Sequence, residues 1–64
     1  MITIKERREQ LGMTQAELGE KVEVSQAAVC RWEVGDTAPL RKLHEKIARA
    51  LRVPVSELDF GCGR

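Results

Sequence analysis

Apolar positions recur along the chain at helical rather than strand spacing. Ile4, Arg8 and Leu11 share one helical face and Gly12 follows as a stop, which predicts a first helix over 3–11. Thr14 with Glu17 three residues later writes a capping box, and Leu18 and Val22 supply the apolar face of a second helix over 14–22. Ser25 is the next N-cap candidate. Ala28, Val29 and Trp32 follow on one face before Gly35, placing a third helix over 25–34. Gly35 to Pro39 reads as a loop, with Pro39 tolerated in the first turn of the next element. Leu40, Leu43, Ile47, Ala48 and Leu51 form the cleanest amphipathic pattern, a fourth helix over 40–51. Pro54 ends it, and Ser56-Glu57-Leu58 suggests a short fifth helix over 55–59. No strand-like alternation runs long enough to predict a sheet. The expected fold is an all-α, compact five-helix bundle forming a single domain over 1–64, with its core over 3–59 and a frayed tail over 60–64.

Composition narrows what such a bundle rests on. A chain of 64 residues, 42% of them hydrophobic, holds one core. A domain this small buries only ~60% of its unfolded surface, and its core supplies about 3–5 kcal/mol. Cys30, Cys62 and the single His44 have neither zinc-finger spacing nor a disulfide framework, so no metal or cofactor is expected and packing must carry the fold. Apolar runs are too short to span a membrane, and charge follows Met1–Ile4 too soon for a signal peptide. The expectation is a cytoplasmic protein with reduced thiols. Ser25, Asp36 and His44 have no nucleophile-elbow or glycine-loop context, so no enzyme is expected. The formal charge of +1 hides an asymmetry: residues 1–38 carry five basic and seven acidic side chains, net −2, while residues 39–64 carry six and three, net +3.

The segment from Gln15 to Trp32 is the most informative. Two short helices meet at Glu23-Val24, a turn too tight for an antiparallel hairpin, so they cross steeply. Such a crossing needs a small residue at the contact, which Gly19 provides. Leu18, Val22, Val24, Val29 and Trp32 are spaced to lock both helices inward. Gln15, Ser25, Gln26, Ala27, Cys30 and Arg31 are left facing outward.

This text resembles the helix-turn-helix domains of Cro and phage-repressor type, the XRE-like family. The matching stretches are Thr14-Gln15-Ala16-Glu17-Leu18, Val24-Ser25-Gln26-Ala27-Ala28-Val29, Arg31-Trp32-Glu33, and Ile47 through Val55. Together they cover roughly residues 3–59, with the helix-turn-helix over 14–34. The resemblance implies a repressor-like regulator of transcription that binds double-stranded DNA sequence-specifically, with the third helix in the major groove. It assigns base contacts to Gln26, Ala27 and Arg31. Gln26 suits adenine, Ala27 a thymine methyl, and Arg31 guanine or a phosphate. It assigns backbone contacts to Gln15, Ser25, Arg41 and Lys42, with Gln15 also buttressing Gln26. Arg8 and Glu33 match positions that pair in some relatives, supporting the first helix on the third.

Plainer readings stand beside these. Gln15 and Gln26 also suit solvated helix starts, and Arg41 and Lys42 a solvated face. Trp32 is expected in the core, His44 at the surface or its boundary. Cys30 reads as a small hydrophobe or as a redox-sensitive thiol on the base-facing helix. Two departures from the family pattern stand out. Glu23 occupies a turn position usually held by glycine, where left-handed backbone costs on the order of 1 kcal/mol for other residues. Asp36 lies where relatives are often basic and repels phosphate, so each domain should bind DNA weakly. That points to a homodimer on a palindromic operator, through a face with Val55, Leu58 and Phe60, although Leu58 also suits the core. The alternative is a protein-interaction module of the same fold, antitoxin-like or co-activator-like, favoured by the acidic first half.

Overall fold

Threonines start the first two helices. Thr3 stands in extended backbone, accepts the Glu6 N–H at 3.1 Å and donates its own N–H to Glu6 Oε1 at 3.0 Å, opening α1 (Ile4–Gln10). Thr14 does the same with Glu17, at 3.1 and 2.8 Å, ahead of α2 (Gln15–Val22). In both glutamates the threonine's backbone N–H, and then its hydroxyl, hold the carboxyl below its ordinary value. Ser25 Oγ accepts the Ala28 N–H at 3.2 Å and opens α3 (Gln26–Val34). Among the described residues, no side chain caps α4 (Arg41–Leu51). These boundaries come from a computed structural model that describes residues 1–61.

Two helices end on charged residues in left-handed backbone, Glu23 at φ 66° after α2 and Arg52 at φ 58° after α4. The end of α3 uses Gly35 instead, at φ 83°. Past Pro54, Val55–Glu57 makes one turn of 3₁₀ helix. Then Leu58–Asp59 (β2) pairs in parallel with Ile2–Thr3 (β1), Ile2 opposite Leu58 and Thr3 opposite Asp59. The described residues thus form four α-helices and a two-residue parallel pair, not five helices. Three residues after a proline are too few to nucleate a helix. The extended backbone at Leu58 buries its side chain and pairs with β1. Of the predicted tail, Phe60 and Gly61 are described; Cys62, Gly63 and Arg64 lie outside the described residues.

Every helix contributes to one core of Ile4, Leu18, Val22, Val29, Ile47, Ala48, Leu51 and Leu58. Trp32 packs against it half-buried, at the core's edge rather than inside. Leu40 departs further from expectation: it caps α4 instead of joining its apolar face and is 62% exposed. Leu58, at 1% exposure, belongs to the core and offers no surface for a partner. Arg7 Nε donates to the Leu51 carbonyl at 2.8 Å, tying α1 to the last turn of α4.

Candidate functional site

The site begins at the α2–α3 crossing. Val24 donates its N–H to the Gly19 carbonyl at 2.8 Å, closing the turn. A Cβ on Gly19 would meet the Val24 carbonyl oxygen at 2.8 Å, so only glycine allows this approach. The close crossing sets α3 with Ala28, Val29, Trp32 and Glu33 inward. Gln26, Ala27, Cys30, Arg31 and Val34 are exposed and follow the i, i+1, i+4, i+5, i+8 spacing of one helical face. Ser25, at its head, is exposed with its hydroxyl already capping the helix.

Behind that face lies a polar knot. Glu33, with a side chain 3% exposed, accepts Arg8 Nε at 2.6 Å on Oε2 and Arg8 Nη2 at 3.1 Å on Oε1. Arg8 Nη1 also donates to the Met13 carbonyl at 2.6 Å, so one guanidinium ties α1 to α3 and to the chain before α2. Burial pushes the Glu33 carboxyl up. The hydrogen bonds from Arg8 and Gln15, with the Arg8 charge, outweigh burial and hold it below its ordinary value.

Gln15 joins the same knot. Its Nε2 donates to Glu33 Oε1 at 2.9 Å, and no hydrogen bond joins it to Gln26 among the described residues. The Gln15 amide is thus held by Glu33 rather than set against Gln26. An ionised carboxylate only accepts, so the NH₂ of Gln15 must face Glu33 and its carbonyl oxygen must turn away. One N–H of that amide remains for another acceptor.

The other predicted residues are spread more loosely. Arg31 Nε stands 3.9 Å from Asp36 Oδ2, both side chains well exposed. Arg41 and Lys42 are exposed at the head of α4, where no side chain among the described residues bonds the helix end. Further along, Lys46 pairs with Glu23 and Arg49 with Glu45, so part of the basic helix is locally neutralised. Cys30 is a free, exposed thiol. His44 is half-buried, its ring stacked on Phe60 at 3.8 Å and its Nε2 3.3 Å from the Pro39 carbonyl oxygen. No group of three or more His, Cys, Asp or Glu is placed to hold a metal among the described residues, and no helix there is long and apolar enough to cross a membrane.

Sequence reasoning did not foresee Gln15 on Glu33 or Asp36 on Arg31. The second had a signal, since Asp36 follows Arg31 by five residues across a glycine that folds the chain back. The first joins residues 18 apart and needed the helix crossing in hand.

A family model described as helix-turn-helix matches residues 4–58. The chain is also similar to a protein of Methanothermobacter thermautotrophicus described as an uncharacterized HTH-type transcriptional regulator. The two are 44% identical over 48 residues, which is 75% of this chain and 70% of that protein.

Proposed function

Because the chain belongs to the XRE-type helix-turn-helix family, we propose that it is a DNA-binding regulator of transcription that reads the major groove of a double-stranded operator with α3. One observation carries the reading. The outward face of α3 presents Gln26, Ala27, Cys30 and Arg31 to solvent, while its inward face is committed to the core and the Arg8–Glu33 knot. Gln26 pairs bidentately with adenine, Ala27 meets a thymine methyl, and Arg31 takes guanine or a phosphate. The backbone N–H groups at the head of α3, beside Ser25, receive a phosphate. The spare N–H of Gln15 takes another, and Arg41 and Lys42 add two cations. Each phosphate neutralised contributes a salt slope of roughly −0.9, so a domain with so few available cations binds weakly alone. A homodimer on a palindrome compensates. Leu58 being core, the face for such a dimer reduces to Val55, 42% exposed, and half-buried Phe60.

Selection from a random duplex pool tests this. An enriched motif with paired half-sites is expected, and Gln26→Ala should relax one position at a cost of about 1–3 kcal/mol. Enrichment of no duplex overturns the reading. Val34, 72% exposed on the same face, favours the second reading, a protein-interaction module. That module would show no sequence preference.

A further inference from the structure

We propose that Asp36 is a specificity-determining residue: it holds the Arg31 guanidinium in the free protein, and DNA must win that cation from it. The inference rests on α3 being the reading helix. Its geometry is local and well anchored. After Gly35 the chain folds back on the end of α3, with the Asp36 N–H donating to the Arg31 carbonyl at 3.0 Å and the Thr37 N–H reaching the same oxygen at 3.4 Å. Residue 36 is thereby pinned beside residue 31, and Asp36 Oδ2 stands 3.9 Å from Arg31 Nε.

Arg31 is the only cation in the sequence of α3, so this one contact governs the charge of the reading face. Both partners are about two-thirds exposed, which makes the contact exchangeable rather than structural. An exchangeable carboxylate discriminates between rivals for the guanidinium. A phosphate can also take the guanidinium bidentately, but it brings its own negative charge against Asp36, whereas the acceptors of guanine are neutral, so phosphate gains less over the internal pair. Guanine offers O6 and N7 in the fork geometry of the guanidinium, a bidentate contact that a carboxylate at 3.9 Å does not match. Asp36 therefore suppresses non-specific phosphate binding more than the specific contact. An acidic residue beside the reading helix is then a filter rather than a defect.

The test uses the full chain, the duplex enriched by selection and a scrambled duplex at one fixed salt concentration. Wild type, Asp36→Asn, Arg31→Met and the double variant are compared. Asp36→Asn is expected to tighten binding to the scrambled duplex by about threefold, the scale of an exposed ion pair, and to the enriched duplex by less. The effect should vanish when Arg31 is Met. In the free protein, the NMR resonance of the Arg31 Nε–H should move in Asp36→Asn. Equal tightening on both duplexes overturns the proposal. So does persistence of the effect in the Arg31→Met background, which would mean that Asp36 simply repels phosphate. An unmoved Arg31 resonance also overturns it. Loss of all duplex preference in the wild type overturns the DNA-binding reading, and a moved resonance beside it shows that the pair itself exists.

Discussion

The two faces of α3 follow opposite rules. Inward, Val29 has no exposed surface, and Glu33 is held by Arg8 and Gln15 at hydrogen-bonding distance. Outward, Gln26, Ala27 and Cys30 meet solvent, and Arg31 has Asp36 as a loose neighbour. A buried ion pair contributes little net stability over an apolar replacement, but breaking it strands a charge. The inward face thus fixes the position and rotation of the helix at high stakes. Substitutions on the outward face, glycine and proline apart, should cost folding no more than about 0.5 kcal/mol. Under the function proposed above, the residues that read DNA can change while those that set the fold stay in place.

The largest effect should come from Glu33→Ala. It leaves the Arg8 guanidinium buried against Met13 with its carboxylate gone, at a cost of about 3–5 kcal/mol. A core of this size supplies no more than that, so circular dichroism at 25 °C should show a largely unfolded chain. Gln26→Ala, on the other face, should stay within about 0.5 kcal/mol of wild type. Similar losses from the two variants would erase the contrast.

Gly19→Ala tests what sets the inward face in place. The added methyl would press on a backbone carbonyl in the turn, which cannot swing aside as a side chain can. Overpacking of this kind costs about 1–3 kcal/mol, read as a lower denaturant midpoint with an unchanged slope. An unaltered midpoint would show that the crossing is looser than its geometry implies.

Acid should weaken the inward face. The Glu33 carboxyl lies below its ordinary value when folded, so it binds a proton more readily in the unfolded chain. Its contribution is complete above the unfolded value of about 4.3 and fades as pH falls through that value toward the lower folded one. Glu6, Glu17 and Glu23 share the sign. Stability measured by denaturant titration should be level from neutral pH to about 5 and fall below it. Glu33→Gln should flatten part of that fall, whereas outward-face variants leave its shape unchanged.

Local rules made the helices legible in the chain. The Thr14–Glu17 box, the Ser25 cap and the Gly35 stop each act within a few residues, and each stands where the text places it. The Thr3–Glu6 box obeys the same pattern and was there to be read. The outward face of α3 followed from periodicity, because helical spacing alone separates residues 26, 27, 30 and 31 from 28, 29 and 32. Non-local features stayed hidden. Leu58 reads as helical until Ile2 is seen opposite it, 56 positions away. The partner of the Gln15 amide depends on how steeply α2 and α3 cross, which no sequence spacing encodes. Leu40 fits the apolar stripe of α4 by count but lies one residue before the helix, where the stripe no longer applies.

The smallest expected effect belongs to the turn that joins the two regions. Glu23 sits at φ 66°, ψ 41°, a conformation in which a Cβ crowds the following carbonyl and glycine is at ease. Glu23→Gly removes that strain. It also removes the contact with Lys46, which lowers the Glu23 carboxyl below its ordinary value and links the end of α2 to α4. The two consequences oppose each other. The side chains of both partners are largely in water, where such a pair is screened and contributes little, so the relief of backbone strain should win. The melting temperature should rise by a few degrees at most, with no change in the duplex motif selected, because neither α3 face is touched. A fall would mean that the Lys46 contact, rather than the backbone, decides the energy of this turn, and Glu23→Gln separates the cases by keeping the strain while discarding the charge.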